Sequence, residues 1–203
     1  MFAPQTADGK VLWHFTMSLD GFVAGPGHGM DWMTGITSRP DLIDEYATTT
    51  GAVLGGRDGW DAYPDPSGIY GGAWTGPLFV LTHHPEDATP TDGVTFLNCG
   101  AAEAVRIGLE AANGKNLEVF SPDIGRQLLA LGLIDEIDLH IAPVLLGDGI
   151  RLYDDPGGAP IHLRGLGRED PRGVLDVRFR PAPVVSDSGR SNDQNHSRPG
   201  ASP

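Results

Sequence analysis

The stretch from Asn116 to Gly149, NLEVFSPDIGRQLLALGLIDEIDLHIAPVLLGDG, decides the fold class of this chain. Asn116 to Phe120 is a short apolar run and reads as a buried strand. Ser121-Pro122 opens a helix, with serine in the N-cap place and proline at the first helical position, where each is preferred. That helix runs to Leu131 and stops at Gly132. Glu136 to Val144 then alternates, with Ile137, Leu139 and Ile141 on one face, as a strand with that face buried does. Strand, helix and strand joined by short links imply parallel pairing and a sheet covered on both faces.

Working outward, the same alternation continues. Val11 to Met17 (VLWHFTM) is an apolar run closed by Asp20-Gly21 and predicts a buried strand. The Gly-rich loop Gly25-Pro26-Gly27-His28-Gly29 follows, then a helix over Asp41 to Thr48. Gly51–Gly55, Pro77–Thr82 and Gly93–Leu97 read as strands. Ala101 to Ala112 carries Ala104, Ile107, Leu109 and Ala111 at helical spacing, with Gly114 placed to end it. Ile161–Leu166 and Val174–Phe179 alternate and read as a final antiparallel pair. Residues 181–203 are rich in Pro, Ser, Asp, Asn and Gly and cannot offset their ordering entropy. The expected organisation is a flexible N-terminus at 1–9, one domain at 10–180 and a disordered tail at 181–203.

With 27 acidic against 14 basic residues, the formal net charge is −13. That excludes nonspecific nucleic-acid binding, which needs cations for phosphates, and binding to an anionic membrane surface. No apolar run approaches the ~20 residues of a membrane span, and Met1 to Lys10 does not read as a signal peptide. Cys99 is the one cysteine, so no disulfide can form within the chain and a reducing, cytoplasmic location is expected.

The motifs exclude several chemistries. There is no G-x-S-x-G elbow and no phosphate-binding G-x-x-x-x-G-K-[ST]. The loop at Gly25–Gly29 lacks the third glycine of the dinucleotide fingerprint. His83 and His84 are adjacent at a strand end and point to opposite faces, so no metal site is expected.

Three segments, in this order and spacing, resemble one family. They are Met17-Ser18-Leu19-Asp20-Gly21, then Gly51-Ala52-Val53-Leu54-Gly55-Gly56-Arg57, then Arg126-Gln127-Leu128-Leu129 through Gly132-Leu133-Ile134-Asp135-Glu136 into Pro143-Val144-Leu145-Leu146-Gly147-Asp148-Gly149. Over about residues 10 to 180 the chain resembles the reductase domain of bacterial riboflavin biosynthesis and its stand-alone, dihydrofolate-reductase-like relatives. The resemblance implies an α/β three-layer sandwich, with a mostly parallel mixed sheet and antiparallel C-terminal strands. It also implies an NADPH groove at the carboxyl ends of the strands, a small heterocyclic substrate and a homodimer.

Read on single residues, Asp20 is either a turn former or a carboxylate facing the ligand cleft; the resemblance implies the catalytic role. Gly55 and Gly56 permit close backbone approach to a phosphate, and Arg57 offers a bidentate anion partner. Thr82 and His83 stand where NADPH-binding relatives place a hydroxyl and a cation around the 2′-phosphate. The family carries Glu-Gly-Gly before the helix that here begins Ser121-Pro122, and usually Thr where Gly59 stands. Cofactor contact is still expected at Ser121, Asp123, Ile124 and Gly125, since a helix N-terminus binds anions. Substrate contact is expected at Ser18, Trp32, Trp60, Leu146 and Gly147, the tryptophans offering flat faces to a ring, as does Trp74. Two alternatives stay open: a ligand-binding homologue without catalysis, and a flavin or deazaflavin in place of the nicotinamide.

Overall fold

A computed structural model of the chain describes residues 4–38 and 41–163. Among these, the strands are β1 (Val11–Ser18), β2 (Phe22–Ala24), β3 (Thr50–Gly56), β4 (Leu78–Leu81), β5 (Val94–Leu97), β6 (Asn116–Phe120), β7 (Glu136–Ala142) and β8 (Ile150–Arg151). The α-helices are α1 (Leu42–Thr49), α2 (Arg57–Ala62), α3 (Ala101–Ala112) and α4 (Pro122–Ala130). Six strands form one sheet in the order β5-β4-β3-β6-β1-β7, every pairing parallel. β2 and β8 pair antiparallel in a separate two-stranded sheet.

Period-two alternation sorts the strands onto two faces. Val11 and Trp13 of β1, Ala52 and Leu54 of β3, and Leu117 and Val119 of β6 pack with Ala104, Val105, Ile124 and Leu128 of α3 and α4. On the opposite face Leu12 packs with Leu42 and Tyr46 of α1. Val53, Leu78 and Val80 meet Trp74, with Trp60 of α2 beside them. Each large aliphatic side chain removed from water this way contributes about 1.5–3 kcal/mol. The three layers are thus α3 and α4, the sheet, and α1 with α2.

The helix ends follow the sequence. Ser121 caps α4, its Oγ accepting from Ile124 N at 3.3 Å, and α3 ends on Asn113 in the left-handed region, one residue before Gly114. Two expectations change. β7 is half-buried along residues 136–141, without one clearly buried face, because it is the outer strand of the described sheet and its second face meets polar partners. Residues 5–8, expected to be flexible, are pinned: the fully buried Asn116 accepts from Asp8 N and Lys10 N and donates to Thr6 O at 2.8 Å. The C-terminal antiparallel pair and the tail lie outside the described residues, apart from residues 161–163, which are exposed and carry no regular structure.

Candidate functional site

Parallel strands place ligands at their carboxyl ends, and here two helices start side by side at that edge. β3 and β6 are neighbours with Gly55 opposite Phe120. α2 begins directly after Gly56, which has no side chain to cap it. α4 begins after Ser121, and a Cβ on Gly56 would lie 3.0 Å from Ser121 Oγ. A Cβ on Gly55 or Gly59 would meet nothing within 4 Å, so the strand end and the first turn of α2 are open to an approaching group.

Under α2 lies a cavity of about 590 Å³, floored by Val53, Leu78 and Val80 and walled by Trp60, Ile69 and Phe120. Gly55, Gly56 and Gly59 form part of its lining. The size and the apolar, aromatic lining suit a small planar heterocycle. A second cavity of about 470 Å³ is polar, with Arg126, Arg151, Asp123, Asp148 and Asp154 in its lining, together with Gly147 and Phe22. Arg151 sits 4.4 Å above the Phe22 ring. The two cavities flank the β6–α4 junction, Phe120 lining one and Pro122 the other.

Asp20 is committed to its own chain. Oδ1 accepts from Ser18 Oγ at 2.7 Å and Leu146 N at 3.0 Å, and Oδ2 accepts from Gly147 N at 2.7 Å. Led by the Ser18 hydroxyl and joined by those two amides, these donors hold the carboxyl at about 2. An acid this strong is ionised at neutral pH and cannot supply a proton. What Asp20 does is anchor the 145–149 loop to the end of β1. Gly149 completes that loop: its φ is +137° and a Cβ there would fall 2.1 Å from Ala24 O, so no other residue fits.

Several expected contacts are corrected by this geometry. Ser18 does not face a ligand; it is fully buried, accepts from Phe22 N and donates to Asp20. Leu146 lines neither cavity, though Gly147 lines the second. Trp60 lines the first cavity, whereas Trp32, in the turn at 31–33, lines neither. Trp74 is core, its indole N–H donating to Thr50 O at 3.0 Å. With Trp60 the one tryptophan in either lining, the paired faces for a flavin or deazaflavin are not assembled, and that alternative has no support.

The expected phosphate contacts fare unevenly. Arg57 Nε donates to both oxygens of Asp61 at 2.7 and 2.8 Å, and its other nitrogens reach His84 O and Asp87 O. Its charge is therefore matched within the chain. Thr82 Oγ1 accepts from His84 N, and the exposed His83 has acidic Glu86 and Asp87 close behind it in sequence. His84, Glu86 and Asp87 bring ligand atoms within 4.8 Å of one another at an exposed turn, an arrangement common without an ion. Asp123 pairs with Arg126 at 2.8 Å. Ile124 and Gly125 are buried: Ile124 packs in the core, and a Cβ on Gly125 would lie 2.1 Å from the Trp13 ring. The first turn of α2 leaves its N–H groups open to a dinucleotide diphosphate, whereas at α4 Pro122 carries no N–H and the Ile124 and Gly125 amides donate to Ser121 Oγ and O. Arg57 meets a 2′-phosphate only by leaving Asp61.

The sequence reading missed a polar cluster inside the sheet. Glu118 is fully buried; Thr50 Oγ1 donates to its Oε1 and Tyr70 OH to its Oε2, with His14 Nδ1 at 3.2 Å. His14 Nε2 meets His140 Nε2 at 2.9 Å, and the His14 ring stacks on Tyr46 at 3.9 Å. Tyr46 OH donates to Asp138, which also accepts from Gln5 Nε2 at 3.1 Å. Burial, reinforced by Asp138 for one and Glu118 for the other, pushes both tyrosines far above their ordinary values. Burial works against ionised Asp138, but Tyr46, Gln5 and the two histidines hold its carboxyl below the usual range. The available signal was polar residues at alternate places within apolar runs: His14 in VLWHFTM, Glu118 in NLEVF, and Asp138 and His140 in EIDLHIA.

Comparison with known proteins bears on this site. Residues 9–168 match the model of the RibD C-terminal domain. An uncharacterized protein, YwjB of Bacillus subtilis (strain 168), is 25% identical over 157 residues, covering 72% of this chain and 83% of that protein. A putative riboflavin biosynthesis protein from Shewanella sp. PV-4 superposes with a TM-score of 0.58 at 19% identity, over 74% of this chain and 86% of that one. A Thermotoga maritima diaminohydroxyphosphoribosylaminopyrimidine deaminase/5-amino-6-(5-phosphoribosylamino)uracil reductase superposes at 0.56 and 17% identity, over 85% of this chain and 54% of that one. Dihydrofolate reductase from Enterococcus faecalis, complexed with NADP(H) and RAB-propyl, superposes at 0.54 and 11% identity, over 82% and 92%. At these identities the superpositions show the dihydrofolate-reductase-like fold. No helix of the described residues is long and apolar enough to cross a membrane.

Proposed function

Because this chain belongs to the RibD C-terminal domain family, we propose that it is a pyridine-nucleotide-dependent reductase of a C=N bond in a pyrimidine or pterin. The observation that carries the reading is the cavity of about 590 Å³ with aromatic walls, lying beside the paired starts of α2 and α4. When bound, the reduced nicotinamide supplies the hydride. The chain's own work is alignment, which governs transfers of this kind. Gly55, Gly56 and Gly59 admit a phosphate to the backbone amides of α2, while Trp60 and Phe120 offer ring faces and Asp20 fixes the loop carrying Gly147.

NADPH is the family's cofactor. In this chain Arg57 must release Asp61 to meet its extra phosphate, so discrimination against NADH is small. A second reading, a binding protein without turnover, draws on the same internal matching of Arg57 and on Asp123 in the first turn of α4. A homodimer and a cytoplasmic setting accompany the reductase reading. The test is NADPH and NADH oxidation, followed by nicotinamide absorbance, with dihydrofolate and with 5-amino-6-(5-phosphoribosylamino)uracil. Turnover of either supports the reductase; saturable nucleotide binding without turnover of either favours the binder.

A further inference from the structure

The two cavities divide charge between them. Among the described residues, the arginines in the two linings, Arg126 and Arg151, both belong to the polar cavity. The apolar cavity has one charged side chain in its lining, Asp65, and no lysine, arginine or histidine among the described residues. Arg57 opens α2 but is not part of that lining, and Asp61 matches its charge. The helix itself carries one arginine against two aspartates, Asp58 and Asp61. A ligand in this cavity therefore meets a negative field and no cation.

Asp65 is held in its place. It stands on the strap from Tyr63 to Gly72, which walls the cavity with Pro64, Gly68 and Ile69. Tyr63 OH ties one end of the strap to His28 O at 2.9 Å. Near the other end, the Tyr70 hydroxyl donates to the fully buried Glu118, and its ring packs edge-on against Phe120 at 6.3 Å. Tyr70 adopts a left-handed φ of +52° there, an outlying conformation for a bulky residue. Asp65 Oδ1 accepts from Ser67 N at 2.8 Å. The Ser67 hydroxyl and amide hold the Asp65 carboxyl below the usual carboxylate range, so it is ionised at neutral pH. Capping the turn asks only for an oxygen, which asparagine or serine supplies as well. The charge is surplus to that role.

We propose that the apolar cavity takes a pyrimidine or pterin that carries neither phosphate nor carboxylate, and that Asp65 is a specificity-determining residue that repels the anionic forms. The ring rests on the reductase reading above; the charge of the substrate goes beyond it. A phosphate entering with the ring would lose water without gaining a cation. In the reductase reading the open amides of α2 are taken by the cofactor diphosphate, which leaves none for a phosphate on the substrate. Repulsion of the wrong ligand separates related molecules as added contacts to the right one do.

Calorimetric titration of the full chain tests this with two pairs of compounds. One is 5-amino-6-(5-phosphoribosylamino)uracil before and after phosphatase treatment; the other is dihydrofolate against uncharged dihydrobiopterin. The uncharged member of the first pair binds about tenfold tighter at low salt, and the gap narrows as salt screens it; the second pair gives the same order. Asp65→Asn keeps the oxygen that accepts from Ser67 and narrows the gap several-fold. Gly68→Lys puts a cation into the lining, where a Cβ meets nothing within 4 Å, and reverses the order. Equal or tighter binding of the anionic members overturns the proposal, as does a gap that neither variant moves or an absence of binding by all four compounds. With NADPH the preference falls in KM, while kcat stays within about twofold. If the preference holds and no hydride is transferred, the reductase reading fails and the proposal stands; turnover without the preference means the reverse.

Discussion

Replacing Gly125 with alanine separates two roles that a glycine in the first turn of α4 could have. In the structure the added Cβ would lie 2.1 Å from both Cε2 and Nε1 of Trp13 and 2.6 Å from Cδ2, where contacts under 3.0 Å do not persist. Trp13 cannot yield easily, being 1% exposed and packed within the α3–α4 layer. Either the ring leaves its place or α4 lifts from the sheet. Overpacking of this kind costs about 1–3 kcal/mol, and an overlap this deep belongs at the top of that range. Alanine recovers about 1 kcal/mol of helix propensity, leaving a net loss of roughly 2 kcal/mol. At this chain length that lowers Tm by about 4–8 °C, read by calorimetry or circular dichroism. The double variant with Trp13→Phe, whose smaller ring withdraws from the contact, recovers part of the loss relative to additivity. If Gly125 instead served to admit a cofactor phosphate, alanine would weaken nucleotide binding and leave Tm unchanged or raised. That result refutes the packing argument.

Three further outcomes follow from the same geometry. Asp20, held at about 2 against an ordinary 3.8, contributes stability that is complete above pH about 4 and lost as pH falls through about 2; in Asp20→Asn, Tm measured against pH loses that part of its acid slope, and an unchanged slope sinks the anchoring role. Asp61→Asn frees Arg57 from its 2.7 Å partner, so NADPH affinity by titration rises several-fold while NADH stays within about twofold; equal gains for both would move Arg57 from the 2′-phosphate to the diphosphate. Gly59→Leu projects into the apolar cavity, where a Cβ meets nothing within 4 Å, so Tm holds or rises by helix propensity while substrate turnover is lost; retained turnover would place the substrate elsewhere.

The elements that periodicity and capping specify were legible. Ser121-Pro122 starts α4, Gly132 follows its end, and Val11–Met17 lies in β1 within a residue, because local hydrogen bonding and burial decide those choices without distant partners. The parallel order was implied by the strand–helix–strand links. What could not be read was partner choice: Arg57 has the composition of an anion site, but Asp61 one helical turn away claims it. Asp20 likewise looks like a free carboxylate until the 145–149 loop, more than a hundred residues on, folds back to fill its oxygens. Gly125 has the place of a phosphate glycine, and only the path of β1 beneath α4 shows that Trp13 occupies the space.

The polar face of the sheet escaped the reading for a related reason. A histidine inside VLWHFTM or a glutamate inside NLEVF counts against burial in a one-strand pattern, where apolar neighbours dominate the run. Burying one such group alone costs several kcal/mol; burying several that satisfy one another costs far less. The two cases differ only in register between strands. Leu12 opposite Glu118 and Thr16 opposite His140 bring His14 between an acid and a second imidazole. Polar residues recurring at alternate places in three apolar strands are therefore better read jointly than one by one. In an α/β sheet whose strands β6, β1 and β7 are adjacent, that recurrence marks a shared interior face and directs attention to chemistry inside the sheet as well as at its loops.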